Sequence, residues 1–468
     1  VKQLRAIVIQ TMRSAIRSRV FHILFLFIAL AVVALPIMVS GDGTAKGQAQ
    51  ITLTYSLGVV VALISTTTLW LACSQLPKEI EDYTIHMVTT KPCPRWVVWV
   101  GKWLGVVIMN SVILFISASI IYGLVHIDLV RRHFSEGEME RLKAEVLVGR
   151  RAFVPTTPDF VAMARQEYEK QKAAGELNPK HDPEETLKNM VRDLKAKSTS
   201  IDGGGRKTWR FENVRVPEDT KNLFLRYRHY AGSTSQSSQR DLRGVWIVED
   251  PHAKGNNREL SMQQQVRTGT FHELAIPPNI ISDDGTVVVS YLNPIEAPTE
   301  ATGEDRNTSV IFQTNDGPVL LARVSGFGTN YARAMVLAFL QIAFLAALGC
   351  TVGAAFSTPV AAFVAIAYLV IGLSVQAAVN APLQNEMGEY EYKGVLDRGA
   401  HYLARGVSTV VVSVNDFDAT SDLARGRLVE YKRMLDATLR LIVIRGGLIT
   451  ILGIWVLSRR ELGTVIRR

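Results

Sequence analysis

The chain has 468 residues, of which 48% are hydrophobic and 20% charged, with a mean hydropathy of +0.14. That balance excludes a disordered or fibrous chain. The net charge of +9 lies wholly outside residues 127–333, which hold 29 basic and 29 acidic side chains. A nucleic-acid binder would concentrate positive charge on its soluble part, so no nucleic-acid partner is expected.

Residues 1–20 carry Lys2, Arg5, Arg13, Arg17 and Arg19 and no acid. Leu4, Val8, Met12 and Ile16 recur every four residues, which predicts a basic amphipathic helix lying in the membrane interface. Six apolar segments follow: Phe21–Val39, Tyr55–Leu76, Trp96–Val125, Ala332–Phe356, Val360–Val379 and Leu439–Leu457. Each is long enough to cross a hydrocarbon core of roughly 30 Å. The first could instead be a signal peptide. Its apolar core is longer than such peptides carry, and no small-residue cleavage site follows.

With the basic start inside, alternation places residues 77–95 on the inner side and 127–330 outside. The connection 380–437, net −2, falls outside, and the tail Arg459, Arg460, Arg467, Arg468 falls inside. The expected divisions are 1–20, an interfacial helix; 21–126, three spans with a short helix near 77–90; and 127–203, an outer helical segment. They continue with 204–330, an antiparallel β-sandwich of jelly-roll type; 331–380, spans four and five; 381–437, an outer connection; and 438–468, span six with a basic tail.

In the outer region, Gly137–Leu147, Pro158–Ala173 and Pro183–Lys197 read as helices, the last two opened by Thr-Pro and Asp-Pro. Beyond Gly203-Gly204-Gly205 the period drops to two. Trp209–Val214, Leu223–His229, Gly244–Val248, Gln264–His272, Thr286–Leu292, Ser309–Gln313 and Val319–Val324 read as strands. Asp283-Asp284-Gly285 is a turn signal. About seven short strands at this spacing suggest the sandwich.

The run Pro77–Gly105 carries the most specific pattern. Glu79, Glu81 and Asp82 would lie in the first turns of a helix from Lys78 to Thr89, where the helix dipole favours negative charge. Lys91-Pro92 would end it. Such a helix between two spans suits docking to a partner on the inner side, or it is an ordinary interfacial connector.

Thr84-Ile85, Lys91-Pro92, Arg95, Gly101-Lys102 and Gly105 resemble the coupling-helix segment of the permease subunits of type 2 ABC exporters. The basic first helix resembles that family's elbow helix. Ser458-Arg459-Arg460-Glu461-Leu462-Gly463 is similar to its basic tail, and Asn415-Asp416-Phe417-Asp418 to Gly426 to its last external connection. The similarity covers residues 1–125 and 332–468. The chain departs from the pattern at Tyr83, where many members carry Gly, and in the large insert at 127–330.

The resemblance implies an α-helical membrane protein of the bacterial inner membrane with both termini cytoplasmic. It would pair with a second permease copy or a related permease, and with a separate ABC ATP-binding subunit. It implies that Glu79, Glu81, Tyr83, Thr84, Met87, Lys91, Pro92 and Arg95 contact that subunit. ATP and Mg would sit on the partner, because no G-x-x-x-x-G-K-[ST] run occurs in this chain. The chain itself is expected to be no enzyme and to hold no cofactor.

Polar residues within the spans are candidates for a membrane path or an inter-subunit contact: Thr67, Asn110, Gln341, Gln376 and Arg445. Interhelical hydrogen bonding is the plainer role for Thr67 and the amides. Arg445 must pair, snorkel or face a polar path. Cys73, Cys93 and Cys350 and the scattered histidines lack metal-ligand spacing. Trp209, Phe211, Tyr227, Tyr230 and Trp246 would either line a glycan-binding face or form core. The other reading of the chain is therefore a membrane-anchored binding or signalling protein whose outer sandwich takes a glycan, peptide or partner protein.

Overall fold

The computed structural model describes residues 2–38, 43–82, 84, 93–131, 134–175, 182–217, 220, 222–232, 241–251, 259–295, 309–313, 316–381 and 395–460. The chain divides into two compact units. Residues 1–149, 325–381 and 399–468 form the first, and 150–324 with 382–398 the second.

The first unit is helical. Helix α1 (Lys2–Arg17) breaks at Ser18 and bends by 73° into α2 (Arg19–Met38). Helix α3 (Ala45–Ile51) runs through a π segment (Thr52–Leu57) into α4 (Gly58–Glu81) as one rod. Next come α5 (Arg95–Arg131) and α6 (Glu136–Glu145). Two helices of the second unit intervene, α7 (Phe160–Ala173) and α8 (Pro183–Thr199). The first unit resumes with α9 (Phe327–Ala355) and α10 (Thr358–Asn380). It closes with α11 (Val395–Val407), α12 (Thr420–Ala424), α13 (Tyr431–Asp436), a second π segment (Ala437–Gly446) and α14 (Gly447–Arg459).

Among the described residues five helices are long and apolar enough to cross a membrane: Ala45–Glu81, Arg95–Ile127, Phe327–Ala355, Thr358–Asn380 and Tyr431–Arg459. The bent α1–α2 pair makes a sixth if counted as one span. Their outer faces carry Phe115, Phe363, Ile366, Leu448, Ile451 and Trp455, all exposed. So much apolar surface on packed helices suits a lipid environment. Helix α9 is the hub, 83% buried over its apolar window against 17% for α10.

Two glycine pairs set the closest approaches. A Cβ on Gly349 would lie 2.5 Å from Ala72 Cβ, and one on Gly353 2.8 Å from the Cys73 carbonyl, so α9 meets α4 backbone to backbone. Gly101 and Gly105 do the same for α1. A Cβ there would lie 2.6 Å from Ile7 Cγ2 and 2.7 Å from Thr11 Cβ. Small residues four apart are the usual device for this contact between apolar helices.

The helical boundaries differ from expectation in four places. Residues 45–54, read as a loop, are helical, with the Thr44 hydroxyl accepting from the Gly47 N–H. Span six starts at Tyr431 because α13 continues through the π segment. Helix α6, read as part of the outer insert, belongs to the first unit. It opens on a Ser135–Glu138 capping box, buries Leu142, and its Glu145 pairs with Lys46 of α3. The Ile16 edge of the expected α1 stripe is exposed, and the buried face is Ile7, Val8, Thr11 and Ala15.

The second unit contains α7 and α8, each capped by an aspartate, Asp159 and Asp182. Its strands are β1 (Val148–Phe153), β2 (Ser200–Ile201), β3 (Arg206–Phe211), β4 (Leu223–Tyr227), β5 (Tyr230–Ala231), β6 (Asp241–Glu249) and β7 (Glu259–Arg267). They continue with β8 (His272–Ile276), β9 (Val287–Leu292), β10 (Val310–Ile311) and β11 (Val319–Gly326).

Two sheets have four strands, β1-β11-β4-β8 and β3-β9-β6-β7, and a small one has three, β2-β10-β5. Counted among themselves in chain order, the eight strands of the larger sheets run 1-8-3-6 and 2-7-4-5. The sheets share one apolar core that includes Leu225, Trp246, Val289 and Leu320. Strand β1 lies in the stretch expected to be helical, where Arg150-Arg151 breaks the alternation. The single strand expected over Gln264–His272 is two, parted by a turn in which Gly269 has φ +77°.

Candidate functional site

The end of the helical unit where α4 stops and α5 starts holds Glu79, Glu81, Thr84 and Arg95 of the residues singled out by the sequence. Helix α4 does not end at Leu76. It runs through Pro77 to Glu81, and Asp82 caps it. The expected separate helix from Lys78 therefore begins as the last turn of the span. Glu79, expected in the first turns of that helix, lies in the last turn of α4 instead. Its side chain is 11% exposed, and its carboxylate pairs with the Lys102 ammonium of α5, itself 2% exposed. Glu81 is exposed. Thr84 is half-buried, its hydroxyl donating to the Glu79 carbonyl at 3.3 Å. Tyr83, Met87, Lys91 and Pro92 lie outside the described residues.

Arg95 bonds across to the last helix of the unit. Its Nη1 donates to the carbonyls of Leu457 (2.9 Å), Ser458 (2.6 Å) and Arg460 (2.9 Å). These are the orphan acceptors at the end of α14, where a cation is favoured. Arg460 Nη1 in turn donates to the Ala354 carbonyl at the end of α9, at 2.7 Å. One collar of charged side chains thus fastens the ends of α4, α5, α9 and α14. Of its four members, Lys102 and Arg460 were read only as parts of longer motifs and not as site residues; the signal of Lys102 was a lone cation at the head of an apolar segment.

The span residues divide in the same way. The Thr67 hydroxyl donates to the Leu63 carbonyl within its own helix, 2.7 Å. Asn110 is fully buried, its Nδ2 donating to Val106 O at 3.1 Å. Gln341 joins α9 to α4 by donating to Ser65 Oγ at 2.8 Å. Of the three, the bond of Gln341 is the one that crosses between helices.

Gln376 stands in a second polar cluster. Its Nε2 donates to Asp416 Oδ1 at 3.1 Å, and its Oε1 accepts from Ser413 Oγ at 2.5 Å. Tyr368 Oη accepts from the Val412 N–H at 2.9 Å. Burial pushes the Asp416 carboxyl above its ordinary value. The Ser413 backbone and the positive charges of Arg445 and Arg433 act against that rise. Arg445 lies in the π segment, a helix form that often marks functional positions. Asp416 and Ser413 escaped the sequence reading because they lie in a connection with no periodic signal.

In the second unit the aromatic residues weighed for a glycan face turn inward. Phe211, Tyr227 and Trp246 are buried, packed with Tyr291 and Phe312. Trp209 and Tyr230 are half-buried. His229 is 1% exposed among these rings, and neither ring nitrogen has a hydrogen-bond partner among the described residues. Burial, aided by His272, lowers its pKa to about 4. Among the described residues no three His, Cys, Asp or Glu side chains converge as a metal site would require.

No family model matches the chain, and neither a curated protein nor a solved structure shows significant similarity to it.

Proposed function

We infer that this chain is the membrane-spanning subunit of a type 2 ABC exporter in a bacterial inner membrane. In this reading it works with a separate ATP-binding subunit and with a second copy or a related permease. The reading rests on the collar at the α4–α5 end. A connector that leaves Glu81 exposed is tied, through Glu79–Lys102, Arg95 and Arg460, to the ends of four helices. A push on residues 82–94 by a motor protein would move those ends together. Rigid helices shifting about packed interfaces are a recurrent way to switch a membrane pathway. The five apolar helices, the bent first pair and the basic ends support the same reading.

In this orientation the collar is cytoplasmic and the second unit lies outside. The order of the eight strands in its two larger sheets is that of a jelly roll, which supports an inserted sandwich. The Gln376–Asp416 cluster would stand near the outer end of the pathway.

The test is co-purification of the full chain with a nucleotide-binding subunit, wild type against Glu81→Lys. Association that Glu81→Lys weakens supports the reading, and no association with any such subunit overturns it. A cysteine placed at Met87 should react with an impermeant reagent only after the cells are opened. Labelling from outside intact cells reverses the orientation and removes the motor contact.

A further inference from the structure

We propose that the face of α1 turned away from α5 holds the phosphate of an anionic phospholipid. Ile7 and Thr11 seat α1 on Gly101 and Gly105. On the opposite side Arg13 and Arg17, one turn apart, face an open groove of about 720 Å³ whose other wall is Lys78. Ser14 and Ser18 add hydroxyl groups, and Ile9 an apolar surface. Among the described residues none of the three cations has an acidic partner within salt-bridge distance. No acid occurs in residues 1–20.

Three observations select a phospholipid over a free anion. The groove sits at the break where α1 bends by 73° into an apolar helix, and beside the last turn of another. In a bilayer, helix ends of this kind lie at the level of the headgroup phosphates. Just past the break, α2 exposes Ile23, Leu26 and Phe27, which offer acyl chains a surface that inorganic phosphate would not use. Finally, the apolar face of α1 is already buried on α5, so the helix is held in place by protein contacts and leaves its cations free for a headgroup. The inference rests on the membrane character of the helices and not on transport, and no ATP-binding partner enters its test.

The test uses the delipidated full chain in mild detergent. The probes are phosphatidylglycerol, phosphatidylcholine with the same acyl chains, and inorganic phosphate. Lipid retention by native mass spectrometry and the melting temperature are the readouts. Phosphatidylglycerol should be retained and should raise the melting temperature, weakly so at high salt. Each cation removed should weaken binding roughly fivefold, so Arg13→Ala/Arg17→Ala/Lys78→Ala should lose about a hundredfold. Lys2→Ala/Arg5→Ala, on the same helix but outside the groove, and the conservative Arg13→Lys/Arg17→Lys should both keep binding. Equal retention of phosphatidylcholine, undiminished binding by the folded triple variant, or full protection by inorganic phosphate at matched concentration would each overturn the assignment.

Discussion

Lys102 and Glu79 form an ion pair that joins α5 to the last turn of α4 with almost no access to solvent. Removing two charges from water costs several kcal/mol each, and only close pairing offsets it. Glu79 Oε2 has no further hydrogen bond among the described residues, so the pair depends on one contact.

Lys102→Met alone or Glu79→Gln alone should therefore lower stability by about 3–5 kcal/mol, since each leaves a buried charge or its partner uncompensated. The joint Glu79→Gln/Lys102→Met variant should lie much nearer to wild type. Thermal melting of the four proteins in detergent forms a double-mutant cycle. Additive losses would mean that the pair is not a unit.

The glycine pairs predict a separation of effects. Gly349→Val drives side-chain atoms into Ala72 at the hub of the bundle, where α9 cannot move away. It should cost more than the 1–3 kcal/mol typical of overpacking and abolish recovery of folded protein. Gly105→Val meets first Thr11 and the Val8 carbonyl of α1, a helix joined to the rest of the chain at the break at Ser18. It should detach α1 and leave the bundle folded. Limited proteolysis reads the difference: cleavage near Ser18 with the remainder intact is expected for Gly105→Val alone.

The apolar segments and the period-two strands were legible because each reports an environment that repeats along the chain. Span length, strand alternation and the Asp283–Gly285 turn are local properties, and the structure has the helices and strands near the expected positions. Contacts between distant segments carry no such signal. Glu79 looked like a helix-start acid because the sequence does not state that α4 continues through Pro77, or that Lys102 waits across the gap. Arg95 looked like a surface cation because its acceptors lie more than 360 residues away. Strand β1 was lost because Arg150 and Arg151 interrupt its apolar pattern. Even so, Arg150 is buried, paired with Glu273 at 2.8 Å.

His229 should make the sandwich acid-sensitive. Its pKa falls from 6.5 in the unfolded chain to about 4 in the folded one. Between these values the unfolded chain binds the extra proton, so stability rises with pH. The contribution is present above pH 6.5 and is lost as the pH falls toward 4. The span of the shift sets an upper scale of about 3 kcal/mol. His229→Phe keeps an aromatic ring among Tyr227, Tyr291 and Phe312 and removes the titration. Melting of the full chain followed by tryptophan fluorescence, with the share lost in a Trp246→Phe background assigned to the sandwich, should show a decline between pH 6.5 and 4.5 in wild type that is reduced in His229→Phe. Equal declines would assign the acid sensitivity elsewhere.

Asp416 should act in the opposite sense. Its carboxyl is held above its ordinary value by burial, so the folded chain keeps the proton to higher pH than the unfolded chain. Stability from this group is full below the ordinary carboxylate value and is lost as the pH rises through the folded one. At neutral pH the charged side chain therefore costs stability, and Arg445 and Arg433 limit that cost. Asp416→Asn preserves an acceptor for the Gln376 amide and should be neutral or slightly stabilising at pH 7. Arg445→Gln removes an opposing charge, raises the Asp416 pKa further and should destabilise at pH 7 more than at pH 4. In the joint variant that excess loss at pH 7 should disappear, because no carboxylate is left for Arg445 to stabilise. Melting temperatures of the three variants and wild type at the two pH values decide it, and an Arg445→Gln loss that persists unchanged in the Asp416→Asn background would show that the two residues are not electrostatically linked.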